Sequence, residues 1–312
     1  MSKSKLALGR LLTAMVTPFT PALEVDYKKA IELARHLLAS GTDTIVAAAT
    51  TGEAPTLTAE EKLQLFEVLK NELGDRPLVC GTGTNNTQAT IDFSLKAKER
   101  GADALLVVAP YYNKPPQDAL YEHFRAVAEA VELPIIAYNI PGRTGIEMKP
   151  STLAKIASIP NVIAVKESLP SLEPISELSA ALKKTSPEQA GKYANFVESR
   201  ALEIYSGDDS SILPTVSVGG VGVISVTSHV AGTLIKEMIE AYFAGDVAKA
   251  KQLHLRLYPL FTGLFAVANP ILVKAALRLQ GFDVGGLRMP LRSASDSEIE
   301  QLRCIMKEVG VL

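Results

Sequence analysis

The sequence predicts a TIM (β/α)8 barrel followed by a C-terminal helical extension. Eight short apolar runs alternate with amphipathic stretches along most of the chain, the pattern of successive βαβ units. The runs are mostly continuously apolar rather than alternating, as expected of strands covered on both faces in a parallel sheet. The length of 312 residues, 47% of them hydrophobic, suits eight such units around one core. A doubly wound sheet is the competing architecture, but no G-x-G-x-x-G follows the first run.

The elements follow in order. The first strand is expected over 11–17. Asp26 is a candidate N-cap for a helix with Ile31, Leu33, Ala34, Leu37 and Leu38 on one face, stopped by Gly41. The second strand covers 44–49, and Thr58 with Glu60 and Glu61 opens a helix carrying Leu63, Leu65, Phe66 and Leu69. Strands over 77–81, 104–109, 134–138 and 162–166 alternate with helices over 87–100, 118–131, 151–158 and 171–183. A polar interval, 184–200, contains Pro187, Gly191 and Asn195 and reads as a surface insertion, with a short helix conceivable over 193–197. The last two units are 202–205 with 210–218, and 221–226 with 229–243. The barrel thus spans 1–243. The extension spans 244–312, with helices over 246–258, 270–280 and 295–309 broken by Pro259, Pro270 and Pro290.

Composition removes several classes of function. Net charge is −2 with both signs interspersed, so a nucleic-acid partner has no support. Cys80 and Cys304 are far apart, which fits a reducing compartment and no structural zinc site. His36, His123, His229 and His254 lack metal-ligand spacing. Lys3 and Lys5 precede a Leu/Ala-rich stretch, but Arg10 interrupts it and a first strand is the better reading than a leader, so a cytoplasmic protein is expected. The uncharged stretches 210–235 and 257–273 are too rich in Ser, Thr, Gly or Pro, or too short, for a membrane span and read as core.

In such barrels catalytic groups sit at the C-terminal ends of the strands. Those ends carry Thr17, Thr50-Thr51-Gly52-Glu53, Gly81-Thr82-Gly83, Tyr111-Tyr112-Asn113, Tyr138-Asn139 with Arg143, Lys166-Glu167, Ser206-Gly207-Asp208-Asp209 and Ser225. Lys166 follows Val162, Ile163, Ala164 and Val165. Desolvation favours the neutral form of an amine, and the neutral amine attacks a ketone to form a Schiff base. The plainer alternative is a strand-end lysine reaching outward and paired with Glu167. Tyr138 is a candidate proton shuttle or simply a core aromatic. Thr50 and Thr51 suit a carboxylate or ordinary turn chemistry, and Arg143 suits a substrate carboxylate or a solvated loop.

These residues resemble a known family. Ala49-Thr50-Thr51-Gly52-Glu53, Tyr111-Tyr112, the run from Tyr138 to Gly145 (YNIPGRTG), Val165-Lys166-Glu167, Gly222-Val223-Ile224-Ser225-Val226, and Asn269-Pro270 with Lys274 look like the dihydrodipicolinate synthase / N-acetylneuraminate lyase family, in order and over nearly the whole chain. The resemblance implies a Schiff-base lyase without a cofactor or metal, in which Lys166 condenses with pyruvate. Arg143, in its Pro-Gly-Arg-Thr-Gly setting, is similar to the arginine that synthases of the family use for L-aspartate 4-semialdehyde. Tyr138, Thr50 and a neighbouring subunit's Tyr112 would form a proton relay, Thr51 and the Ile224 backbone would hold pyruvate, and a homotetramer, as a dimer of dimers, is implied. Two alternatives stay open: an aldolase for 2-keto-3-deoxy sugar acids, and a non-catalytic barrel that senses a pyruvate-like acid.

The departures from the family pattern are Ala49 and Ala54, neither a reacting group, and the long 184–200 interval. Asn85 and Tyr111 match the lysine feedback site of some members, whereas Ala59, Lys62 and Ala89 stand where regulated enzymes tend to carry His, His and Glu. Without the glutamate, and with a like charge at Lys62, lysine inhibition is expected to be weak or absent.

Overall fold

A computed structural model describes residues 6–182 and 202–312. The insertion expected over 184–200, with its short helix over 193–197, lies outside the described residues. Eight strands, β1 (Leu11–Ala14), β2 (Thr44–Ala47), β3 (Leu78–Gly81), β4 (Ala104–Val108), β5 (Ile135–Asn139), β6 (Val162–Glu167), β7 (Glu203–Ser206) and β8 (Gly222–Ser225), pair in sequence order and close into a barrel. Every pair is parallel, and β8 returns to β1 with Leu12 opposite Ile224.

The surrounding helices are α1 (Tyr27–Ala39), α2 (Ala59–Leu73), α3 (Thr87–Glu99), α4 (Gln117–Val131), the single turn α5 (Pro141–Thr144), α6 (Pro150–Ile156), α7 (Glu173–Leu182), α8 (Ile212–Ser217) and α9 (Ser228–Phe243). Their starts are legible. Asp26 accepts from the Lys29 amide, and Asn86 from the Ala89 amide. Thr58 and Glu61 form a capping box, and each such cap contributes about 1 kcal/mol. Of the three helices of the extension, α10 (Val247–Gly263) and α11 (Ile271–Leu279) pack on α9, and α12 (Asp296–Val309) packs on both of them.

Two expectations about boundaries need correction. Helix α6 opens at Pro150 rather than Ser151, because proline at the first helical position gives up only an N–H that would have no partner there. Helix α10 runs through Pro259 to Gly263 instead of ending before it. Proline removes one rung, to the carbonyl of Leu255, but Leu255 is exposed, where the loss costs least. Leu257, Leu260 and Phe261 are buried on the opposite side, and their burial holds the helix together.

Alternation along the strands creates two cores. One, lining the barrel interior, includes Leu12, Val46, Leu106, Ile136, Tyr138, Ala164, Tyr205 and Ile224. The other lies between sheet and helices and includes Leu11, Ile45, Leu105, Ile135, Val165 and Val223.

Candidate active site

Lys166 reaches the interior because β6 breaks its own alternation. Val162 belongs to the outer core, while Ile163 and Ala164 both belong to the inner one. The register with β5 shifts there: Val162 pairs with Ile135, but Ala164 pairs with Ile136. One extra residue in a strand inverts the parity of everything after it. Strict alternation from Val162 would send Lys166 outward. With the bulge, Val165 and Glu167 face the helices, and Lys166, only 4% exposed, faces the barrel axis. The pairing of Lys166 with Glu167 considered above is therefore absent, since the two lie on opposite faces of β6. Glu167 instead accepts two contacts from the Asn139 Nδ2, at 2.9 and 3.1 Å.

Tyr138 pairs directly with Lys166 across the β5–β6 ladder. Its ring centroid lies 4.4 Å from Lys166 Nζ, within cation–π range. The same tyrosine borders a cavity of ≈ 460 Å³ at the barrel mouth, along with Thr50, Arg143, Tyr111 and Lys62. Gly81 and Gly83 form part of its wall, where the backbones approach so closely that a Cβ would stand 2.4 Å from Ala48 O and 2.4 Å from Val108 N, respectively. Lys166, Thr51 and Ile224 are buried and do not line this cavity. Tyr138 thus joins the cavity to the lysine.

The remaining candidates divide into two groups. Thr51 is 2% exposed, and its Oγ accepts from Asn269 Nδ2 at 2.9 Å. A hydroxyl that accepts there keeps its own proton free for a partner within the barrel. Ile224 is fully buried on β8. The turn after β8 is fixed by Asp209, which accepts from Ser225 Oγ, from the Val226 and Thr227 amides, and from Thr227 Oγ. Arg143 is exposed on the one-turn helix α5 at the cavity rim. Tyr112 does not join its own chain's cluster. Its side chain is 88% exposed, and its backbone, at φ 73°, is pinned by its amide donating to Thr144 O.

Electrostatics distinguish the carboxyls. Burial pushes Glu167 up to about 8, opposed by the Asn139 hydrogen bonds. Burial and the neighbouring Asp209 raise Asp208, while nearby Lys166 opposes that rise. Burial lowers Lys62, which lies 5.6 Å from the Phe93 ring centroid. Among the described residues, no group of three or more His, Cys, Asp or Glu side chains is placed to hold a metal ion.

Sequence reading missed a brace from the extension. Lys274, 3% exposed, forms an ion pair with Glu53 Oε1 at 2.6 Å, donates to Gly286 O at 2.8 Å, and sits 4.2 Å from the Phe19 ring centroid. The Arg288 amide donates to the other Glu53 oxygen at 3.0 Å. Glu53 itself has a left-handed backbone, φ 55°. The available signal was a lysine inside the apolar run of α11, since a buried ammonium requires a partner.

The Dihydrodipicolinate synthetase family model matches residues 7–309. The chain belongs to that family. Among similar proteins, the 4-hydroxy-tetrahydrodipicolinate synthase of Heliobacterium modesticaldum is 49% identical over 304 residues, 97% of this chain and 96% of its own. That of Symbiobacterium thermophilum is 50% identical, covering 97% and 99%. A crystal structure of DHDPS from Cyanidioschyzon merolae with lysine bound superposes with a TM-score of 0.90 at 44% identity, covering 98% of this chain and 99% of the other. The dihydrodipicolinate synthetase fold is therefore shared over the full barrel and its extension.

Proposed function

We propose that the protein is a Schiff-base lyase that condenses pyruvate with L-aspartate 4-semialdehyde to give 4-hydroxy-tetrahydrodipicolinate. The observation that carries this reading is Lys166, turned into the barrel by the β6 bulge and set against Tyr138 in a chain of this family. The Lys166 amine adds to the pyruvate ketone, and water leaves as the imine forms. Loss of a C3 proton gives the enamine, which attacks the aldehyde carbon. The amino group of the second substrate then attacks the imine carbon, closing the ring and returning Lys166 as the free amine. No cofactor is called for.

Tyr138 shuttles protons, relayed by Thr50 and by Tyr112 of a neighbouring subunit; the exposure of Tyr112 supports its serving another chain's site. Thr51 and the Ile224 backbone hold the pyruvate carboxylate, and Arg143 takes that of the semialdehyde. The relay implies a homo-oligomer, read as a dimer of dimers. Unpaired Cys80 and Cys304 support a cytoplasmic location. The chain divides into a barrel over 1–243 and an extension over 244–312 that serves the site through Asn269 and Lys274.

Borohydride reduction in the presence of pyruvate tests the reading. A reduced pyruvate adduct on Lys166 is expected by mass, together with turnover of aspartate semialdehyde. Failure to trap pyruvate removes the lyase class, and turnover of keto-deoxy sugar acids instead would move the substrate assignment.

Lysine is expected to inhibit weakly or not at all, although the Cyanidioschyzon relative has lysine bound. Lys62 brings a positive charge to the cavity, and Ala89 offers no carboxylate to a ligand ammonium. A dose–response assay should stay nearly flat through sub-millimolar lysine. Strong inhibition in that range would refute the expectation.

A further inference from the structure

We infer that Glu167 and Asn139 form a clamp that positions Arg143, and so controls recognition of the second substrate's carboxylate while leaving pyruvate binding alone. The inference deepens the synthase reading and rests on it for the role of Arg143.

The clamp follows from the same parity that turns Lys166 inward. Asn139 and Glu167 are the next pair along the β5–β6 ladder, and both face outward, away from the reacting lysine. Asn139 closes the segment 140–148 at its base. Its Oδ1 accepts from the Met148 amide at 2.9 Å, and its Nδ2 donates to Met148 O at 3.2 Å. The same Nδ2 donates to both Glu167 oxygens. Arg143 lies in the middle of this closed segment, on α5. Thr144 braces the interior by donating to Ile140 O and Ile146 O.

Asn139 is fully buried and Glu167 is 3% exposed, so neither contact competes with solvent. An amide donating on one side and accepting on the other fits only one orientation of its Oδ1 and Nδ2. Glu167 reinforces the orientation that the Met148 backbone sets, because both of its oxygens accept from Nδ2. Without Glu167, the amide keeps only its two Met148 contacts, and Nδ2 loses its two shorter ones. The reacting groups sit on the other face of both strands, which is why a loosened segment should move Arg143 and spare Lys166.

The test compares Glu167→Ala, Glu167→Gln, Arg143→Ala and the double variant Arg143→Ala/Glu167→Ala with the unmodified enzyme. Glu167→Ala should raise the KM for aspartate semialdehyde by about tenfold, the scale of one weakened charge-assisted contact. The KM for pyruvate and borohydride trapping of pyruvate should stay within about twofold. Glu167→Gln retains an acceptor oxygen of the same reach and should restore most of the loss. In the Arg143→Ala background, Glu167→Ala should add nothing further, since its effect passes through Arg143. Equal effects on both substrates, or full additivity in the double variant, would overturn the clamp while leaving the synthase reading in place.

Hydrogen–deuterium exchange supplies a readout independent of turnover. Segment 140–148 should exchange faster in Glu167→Ala than in Glu167→Gln, with strands β1–β4 unchanged. Unaltered exchange of that segment would sink the clamp even if the enzyme is active. An inactive unmodified enzyme with the expected exchange pattern would instead indict the functional reading.

Discussion

Replacing Lys166 with alanine is expected to lower kcat/KM by more than about a thousandfold, at least 4 kcal/mol of lost transition-state stabilisation. The amine forms the bond to substrate, and no other lysine shares the interior face of β6. The fold should survive, because Lys166 stands against the Tyr138 ring and, among the described residues, no carboxylate forms an ion pair with it. Circular dichroism should therefore match the unmodified protein. Lys166→Arg sharpens the result. Arginine keeps the charge and the stacking on Tyr138, but it is never deprotonated and cannot form the imine. A role for Lys166 as a mere electrostatic anchor predicts partial activity in Lys166→Arg, whereas the nucleophile role predicts none. Neither variant should yield a borohydride adduct with pyruvate. Substantial turnover by either one would contradict the assignment.

The order of the barrel was legible because its periodicities are local. The eight apolar runs, the caps at Asp26 and Thr58 and the stop at Gly41 need only a few neighbouring residues to be read. The direction of Lys166 was not legible in that way. Its inward turn depends on the bulge between Val162 and Ala164, and nothing in the run Val162-Ile163-Ala164-Val165 marks which residue is the extra one. The family resemblance singled out the lysine, and the register supplies the physical reason it points inward. Glu167 shows the converse. Adjacent to Lys166 in sequence, it looked like a natural ion partner, yet the pleat places it on the far face with Asn139. Contacts between distant segments were equally hidden. Asn269 to Thr51 and Lys274 to Glu53 each join positions more than 200 residues apart. No local pattern announces either.

The second large effect is expected at Lys274. Lys274→Met keeps the length and apolar stem of the side chain and deletes its charge, leaving Glu53 buried without its ammonium. Breaking a buried pair in this way costs about 3–5 kcal/mol. The environment is unforgiving: burial lowers the Lys274 pKa, and the attraction of Glu53 opposes that shift without cancelling it. Since the chain has no tryptophan, urea unfolding is best followed by circular dichroism. The single variant should lose about 3–5 kcal/mol, and Lys274→Met/Glu53→Gln should recover part of it, because the uncompensated charge is gone. Recovery should be incomplete, as Glu53 also accepts from the Arg288 amide and closes a strained turn at φ 55°. That turn carries Thr50 and Thr51, so the stability loss should arrive with a rise in the KM for pyruvate. A single variant within about 1 kcal/mol of the unmodified protein would mean that the extension only covers the barrel. A loss of the expected size would mean that it braces the β2 loop on which pyruvate binding rests.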